Sequence, residues 1–297
     1  MNKLKPASKL HRIFAAVLDM LIAVIFASLV SLFIINPIFV NSASYQTNYK
    51  VYENGLLSTE LYQKDENNSS KLTCVIDLLN TDGSVMFSID KIDDYDSNLI
   101  SFYSNYSNEK VEEYQNTKET SNIYEKNELN EYVLVESVNI NDAYNFFSTS
   151  YINATKYFFT QNESVNEAYY FLSLTSTYST IIPIGISLLL CYVLMPLVFK
   201  DGQTIAKKLF SLKVVSLKED KQLTKGQIVL RGMFFVFVEL VLSYFMYFIP
   251  IVISILFLLI NKNHLSLHDY IGQTYVIDTL SSVQNKDNVI DVEVKEL

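Results

Sequence analysis

Apolar and polar positions divide this chain into segments of two kinds. Ile13–Ile35 is an apolar run broken by one charge, Asp19; Ile181–Phe199 has no charge; Met233–Ile260 has one, Glu239. A helix crosses roughly 30 Å of hydrocarbon with about 20 residues, because each adds about 1.5 Å. The first two runs each fit one crossing, and the third exceeds it. Residues 41–178, between the first two runs, are polar and rich in Asn, Ser, Tyr, Asp and Glu. Two solvents therefore act on one chain. The pattern predicts a multi-span α-helical membrane protein of three apolar segments with an α+β domain inserted between the first two.

Within the insertion, residues 45–58 read as alternating and then turning at Glu53-Asn54-Gly55, a hairpin signal. Leu72–Leu79 and Ser84–Ile89 read as strands joined through Asn80-Thr81-Asp82-Gly83, with further strands at Ile100–Tyr103 and Tyr132–Val138. Glu109–Glu131 reads as a solvated loop or helix, and the aromatic-rich stretch Asp142–Tyr178 as helix. The third apolar run admits two forms. It is one long tilted span, or a bent or re-entrant pair broken near Pro250, with its helix starting as early as Thr224.

Charge sets the orientation. Residues 1–12 carry four Lys or Arg and no acid, and residues 200–231 carry eight against three acids. Residues 41–178 carry 21 acids against eight lysines and no arginine. Cytoplasmic loops close to a membrane are enriched in Lys and Arg. The N-terminus and the 200–231 loop are therefore expected in the cytoplasm and 41–178 outside, in a multi-pass protein of the plasma membrane. The basic leader before Ile13 resembles that of a secretory signal, but the apolar run is longer than an h-region, so an uncleaved first span is expected. Cys74 and Cys191 lie far apart, one in the polar domain and one in the second span, and no disulfide is expected. Low Gly, no Trp and abundant Asn, Lys, Ile and Tyr read as a bacterial composition.

No hydrolytic, redox or phosphate-cradling constellation is visible, and neither an enzyme nor a cofactor nor nucleic-acid binding is expected. His264, His268 and Asp269 fall near one face, without the further ligands that a metal site needs. The intramembrane carboxylates are more informative. An acid near the middle of a span costs about 2.5–3.5 kcal/mol on insertion scales, so it faces protein or an aqueous path. Asp19 follows Arg12 by seven residues on one helix face, and Glu239 is placed to approach Asp19 across a bundle. Such groups either couple to H⁺ or a small cation or bond to a neighbour such as Arg12 or Arg231.

Three motifs in order resemble the RDD family of bacterial membrane proteins. His11-Arg12-x-x-Ala15-x-x-x-Asp19 resembles its opening, and Gly202-Gln203-Thr204 through Val215 its loop after the second span. His268-Asp269-Tyr270-Ile271-Gly272-Gln273-Thr274 resembles its closing motif. The resemblance covers 8–40 and 180–279 and implies that Arg12, Asp19 and Asp269 are the family's defining residues, with Arg231 at a recurrent position. Ala206 and Ser211 stand where glycines are common. The resemblance implies a class, transport or cation/proton exchange, and no substrate.

The chain thus divides into 1–40, the N-terminus and first span; 41–178, the acidic outer domain; 179–279, the second and third segments with the basic loop; and a polar tail, 280–297. Lys213–Ser216 and Tyr275–Asp278 read as short strands, and their pairing would return the third segment to the cytoplasmic side. Partners expected are the lipid bilayer, a small cation or proton, and a protein partner for the outer domain or a second copy. One function class is transport or ion coupling. The other is a membrane-anchored binding or envelope-assembly protein whose outer domain does the recognising.

Overall fold

A computed structural model describes residues 6–65, 68–77, 87–218 and 222–279. It divides into two compact units, one of 1–39 with 177–297 and one of 40–176.

Among the described residues, three helices are long and apolar enough to cross a membrane: α1 (Lys9–Val40), α6 (Glu163–Val198) and α8 (Lys225–Phe245). Ser8 caps α1 by accepting from the His11 N–H, and Thr224 caps α8 with a reciprocal bond to Gln227. Each span contains one π-helical segment, at Ser31–Ile35, Leu190–Leu194 and Phe235–Val241. Such segments insert an extra residue per turn and recur at functional sites. Small residues let the spans approach. Ala15, Ala23 and Ala27 form the buried stripe of α1, and a Cβ on Gly232 of α8 would lie 2.3 Å from the Tyr192 carbonyl of α6. Phe14, Leu21, Ile25 and Phe33 on the other faces of α1 are exposed, as lipid contact requires.

The third apolar run is broken. α8 ends at Phe245, Tyr247 and Phe248 take positive φ, and α9 (Ile249–Ile260) follows. The break precedes Pro250, which lies in the first turn of α9, where its missing N–H costs nothing. Ser243 holds the bend, donating to the Glu239 carbonyl and accepting from the Ile251 N–H at 3.1 Å. With 12 residues, α9 is about 18 Å long, too short for a full crossing. A short helix, α10 (Leu267–Ile271), packs on α8 and α9. The strands expected to pair do so. β5 (Leu212–Ser216) lies antiparallel to β6 (Thr274–Asp278), with Val214 opposite Val276. The N-terminal segment joins their edge, as the Ala7 N–H donates to the Val276 carbonyl at 2.9 Å.

The second unit is mostly helical, with two two-stranded ladders. Its helices are α2 (Ala43–Leu57), α3 (Ile92–Ser104), α4 (Asn108–Glu119), α5 (Ile140–Gln161) and the first part of α6. Its ladders are β1 (Tyr62–Asp65) with β2 (Asn68–Cys74), and β3 (Tyr124–Lys126) with β4 (Tyr132–Leu134). The core is aromatic: Phe87 stacks on Tyr95 at 5.1 Å, and Phe147 and Tyr151 of α5 are fully buried. Lys118 is buried against Asp96 at 2.7 Å, and the Tyr114 hydroxyl donates to the same carboxylate at 2.6 Å.

Several strand expectations are corrected here. Residues 45–57 lie in α2, with Ser58 as its C-cap, and not in a hairpin, because Tyr45, Tyr49, Tyr52 and Leu56 recur at helical spacing and Ser42 caps the start. Gly55 is helical and makes room for Val165, whose side chain would be 2.4 Å from an added Cβ. Ile100–Tyr103 belongs to α3, whose buried Ile92, Tyr95, Leu99 and Phe102 again follow the helical period. The run from Leu72 ends as a strand at Cys74 and turns through a 3₁₀ segment, Val75–Asp77. Of Ser84–Ile89, residue Ile89 begins a 3₁₀ turn, and the expected turn at Asn80–Gly83 lies outside the described residues. β4 is shorter than the expected strand Tyr132–Val138. Cys74 and Cys191 are both free thiols.

Candidate functional site

Asp269 is the centre of the first polar cluster. It is fully buried on α10, whose N-cap Ser266 closes a capping box with it: the Ser266 N–H donates to Oδ2 at 3.2 Å and its hydroxyl at 2.6 Å. Arg12 of α1 donates to Oδ2, and Arg231 of α8 donates from Nε to Oδ1 at 2.9 Å. Arg12 also donates to the His264 carbonyl, and the His264 ring nitrogen Nδ1 lies 2.9 Å from the Ala7 carbonyl. Burial by itself would raise the Asp269 carboxyl; the two guanidiniums outweigh it and hold the group well below the usual carboxylate range. Thr274 is fully buried beside it, its hydroxyl 3.5 Å from the Asp269 carbonyl.

Asp19 is tied elsewhere. Its Oδ1 accepts from the Ala206 N–H at 2.9 Å and its Oδ2 from the Thr204 hydroxyl. Thr204 is the N-cap of α7 (Ile205–Leu209), so Asp19 clamps the loop after the second span onto α1. Gly202 turns that loop at φ +59°, and Gln203 donates to the Leu212 carbonyl at 2.7 Å. Asp19 thus bonds neither Arg12 nor Glu239, two neighbours that the sequence left open to it. Arg12 and Asp19 do share a face of α1, but two turns separate them, and each finds a closer partner.

Glu239 is also buried, inside the π-helical segment of α8, and its partner is His268. The His268 N–H donates to Oε1 at 2.8 Å, and ring Nδ1 lies 3.1 and 3.0 Å from Oε1 and Oε2. A neutral imidazole protonated on Nδ1 satisfies this geometry and leaves Nε2 facing Ser266 and Arg231 at 2.9 and 3.4 Å. Burial lowers the His268 pKa in spite of Asp269 and Glu239, which keeps the ring neutral at pH 7. Phe235 packs edge-on against it at 5.1 Å and against the Tyr192 ring at 4.7 Å.

Arg12, Asp19, Arg231, Glu239 and His268 all line one cavity of about 430 Å³. Its remaining wall is largely apolar, from α1, α6, α8 and α9. Two further residues on it gave no signal in the sequence. Lys207 looks like any lysine of a basic loop, and Tyr192 like any aromatic in a span. His264, considered for a metal, supplies a carbonyl to Arg12 instead. No group of three or more His, Cys, Asp or Glu placed to hold a metal occurs among the described residues.

The RDD family's model matches residues 140–273. This stretch, just under half of the chain, is similar to the RDD family, whose members are membrane proteins. The match takes in Gly202, Gln203, Thr204, Arg231, Glu239, His268 and Asp269, and it begins in α5, earlier than the expected 180. It stops one residue before Thr274 and leaves out Arg12 and Asp19, which the fold nonetheless brings to residues of the matched stretch. No curated protein and no solved structure matches the chain.

Proposed function

We propose that this protein is a transport or ion-coupling protein, not an enzyme, and that proton exchange occurs at the Glu239–His268 pair. The supporting observation is a buried carboxylate within a span, bonded through both oxygens' reach to one imidazole, on the wall of an intramembrane cavity. Carboxylate–histidine chains inside membranes relay protons; here Nδ1–H donates to the Glu239 carboxylate, and the carboxylate is the group that takes up and releases a proton on the cavity side. Asp19, fully engaged with the loop, becomes a positioning residue in this reading.

Purified protein in vesicles with an internal pH dye is expected to move protons when a Na⁺ or K⁺ gradient is applied. Glu239→Gln should reduce the rate at least about 10-fold. No flux above that of empty vesicles would overturn the assignment. A protein partner that crosslinks to Glu239→Gln as well as to the wild type, and is lost on deleting 45–175, would move the function to the outer unit. That unit builds an aromatic core of its own, which favours a recognition role beside the coupling one.

The same reading puts the N-terminus, the 200–231 loop and the C-terminus in the cytoplasm and 41–178 outside the plasma membrane. Charge and the broken third run support it. A single cysteine at Asn285 is expected to resist a membrane-impermeant reagent in intact cells and to label after permeabilisation. Strong labelling of intact cells would reverse it.

A further inference from the structure

Two side-chain groups able to donate hydrogen bonds line the cavity without a partner among the described residues. Both oxygens of Asp19 are engaged, Glu239 is held by His268, and Arg12 and Arg231 converge on Asp269. Lys207 lines the cavity half-buried, and its ammonium has no hydrogen-bond or ion-pair partner among the described residues. Tyr192 lines it too, 8% exposed, and its hydroxyl is one of two buried side-chain polar atoms without a partner among those residues. A buried hydroxyl left unpaired costs free energy, and an ammonium offers three donors and no acceptor. The complement is an acceptor with negative charge. A metal cation would meet Lys207 as a repelling charge.

The rest of the wall sets the other half of the ligand. Val17 and Leu21 of α1 and Ile255 of α9 line the cavity while remaining 54%, 55% and 45% exposed. Protein therefore does not seal the apolar side. A volume of about 430 Å³ is within the range of sites that hold small organic molecules.

We infer that the cavity binds an anionic amphiphile, its carboxylate or phosphate head on Lys207 and the Tyr192 hydroxyl and its apolar body along α1 and α9. It occupies the same cavity as the coupling reading above and adds the class of ligand. Burial first, and then the Arg231 charge, bring the Lys207 ammonium down to about 7, against the opposing pull of Asp19 and Asp269 and with a small further push from Arg12. Affinity should then be highest below that pH and fall as pH rises through it.

The test uses the full-length protein in nanodiscs with radiolabelled dodecanoate, and dodecanol as the uncharged competitor. Dodecanoate is expected to bind at least about 10-fold more tightly than dodecanol, and more weakly at pH 8.5 than at pH 6.5. Lys207→Met should lose about 10-fold or more, and Tyr192→Phe, which removes one oxygen and keeps the packing, about 3- to 10-fold. Native mass spectrometry separates the sources: an acidic phospholipid retained by the wild type and released by Lys207→Met identifies a lipid, and dodecanoate binding without retained lipid identifies a free acid. Equal competition by dodecanol, or unchanged binding in both variants, overturns the inference. Dodecanoate binding that persists while vesicles show no proton flux would remove the coupling reading and leave this one standing. Flux without dodecanoate binding would do the reverse.

Discussion

Asp269→Asn is expected to destabilise the membrane unit by about 3–5 kcal/mol, the usual cost of removing one member of a buried charge cluster. The reason lies with its neighbours. Arg12 and Arg231 are 8% and 7% exposed, come from two different spans, and have this one carboxylate between them. An amide in its place leaves two guanidiniums facing each other out of water. Thermal unfolding followed by thiol exposure at Cys191 in detergent should show a midpoint lower by roughly 10 °C. A change within about 2 °C would mean that water reaches the arginines and that the cluster is not what holds α1 to α8. Arg12→Met should cost less, since Arg231 still neutralises the acid. The pH dependence has a definite sign. The folded-state pKa of Asp269 lies below its unfolded value near 4, so its stabilisation is complete above about pH 4 and is lost as pH falls through the folded value.

Gly232→Ala removes no chemical group, yet it should cost about 1–3 kcal/mol, and under the proposed coupling role it should reduce proton movement as well. The added Cβ would stand 2.3 Å from the Tyr192 carbonyl and 3.1 Å from a Val193 methyl. The first contact is with helix backbone, which cannot step aside as a flexible side chain would. α6 and α8 must separate, and the ring sequence Tyr192, Phe235, His268, at 4.7 and 5.1 Å, separates with them. Gly185→Ala is the control within the same spans, because nothing lies within 4 Å of its added Cβ. It should be neutral or slightly stabilising, since alanine is the better helix former. Equal effects of the two substitutions would show that close helix approach is not required.

The two halves of the chain differed in how far local pattern could be read. Hydrocarbon asks one thing of a span, a long apolar run with its backbone bonded internally; Ile13–Ile35 and Ile181–Phe199 display that without ambiguity, and Met233–Ile260 displays the apolar run but not where it breaks. The second unit asks for amphipathic elements in water, and there period 2 and period 3.6 are easily confused over short stretches. Tyr45, Tyr49 and Tyr52 sit in a sequence dense with polar residues, where Asn54-Gly55 carries the stronger local signal, and the packing of Val165 on Gly55 is what favours the helix. Similarly, Phe102 and Tyr103 look like a strand until Ile92, Tyr95 and Leu99 are counted with them.

The site divides in the same way. By itself the sequence determined which residues are costly to bury, since a charge inside an apolar run stands out at once: Asp19 and Glu239 in the spans, and Arg12, Arg231 and Asp269 through motif resemblance. It also determined that Lys213–Ser216 and Tyr275–Asp278 have strand character. Tertiary structure alone decided who meets whom. Seven residues along one helix separate Arg12 from Asp19 by about 10 Å, too far for a hydrogen bond, and 257 positions of chain separate Arg12 from Asp269, which it touches. Pairing across such distances depends on the bend at Tyr247 and Phe248 that returns α9 toward the start of α8. The empty donors of Lys207 and Tyr192 were beyond reach for the same reason. A missing partner is a property of the surroundings, and only the packed spans supply those.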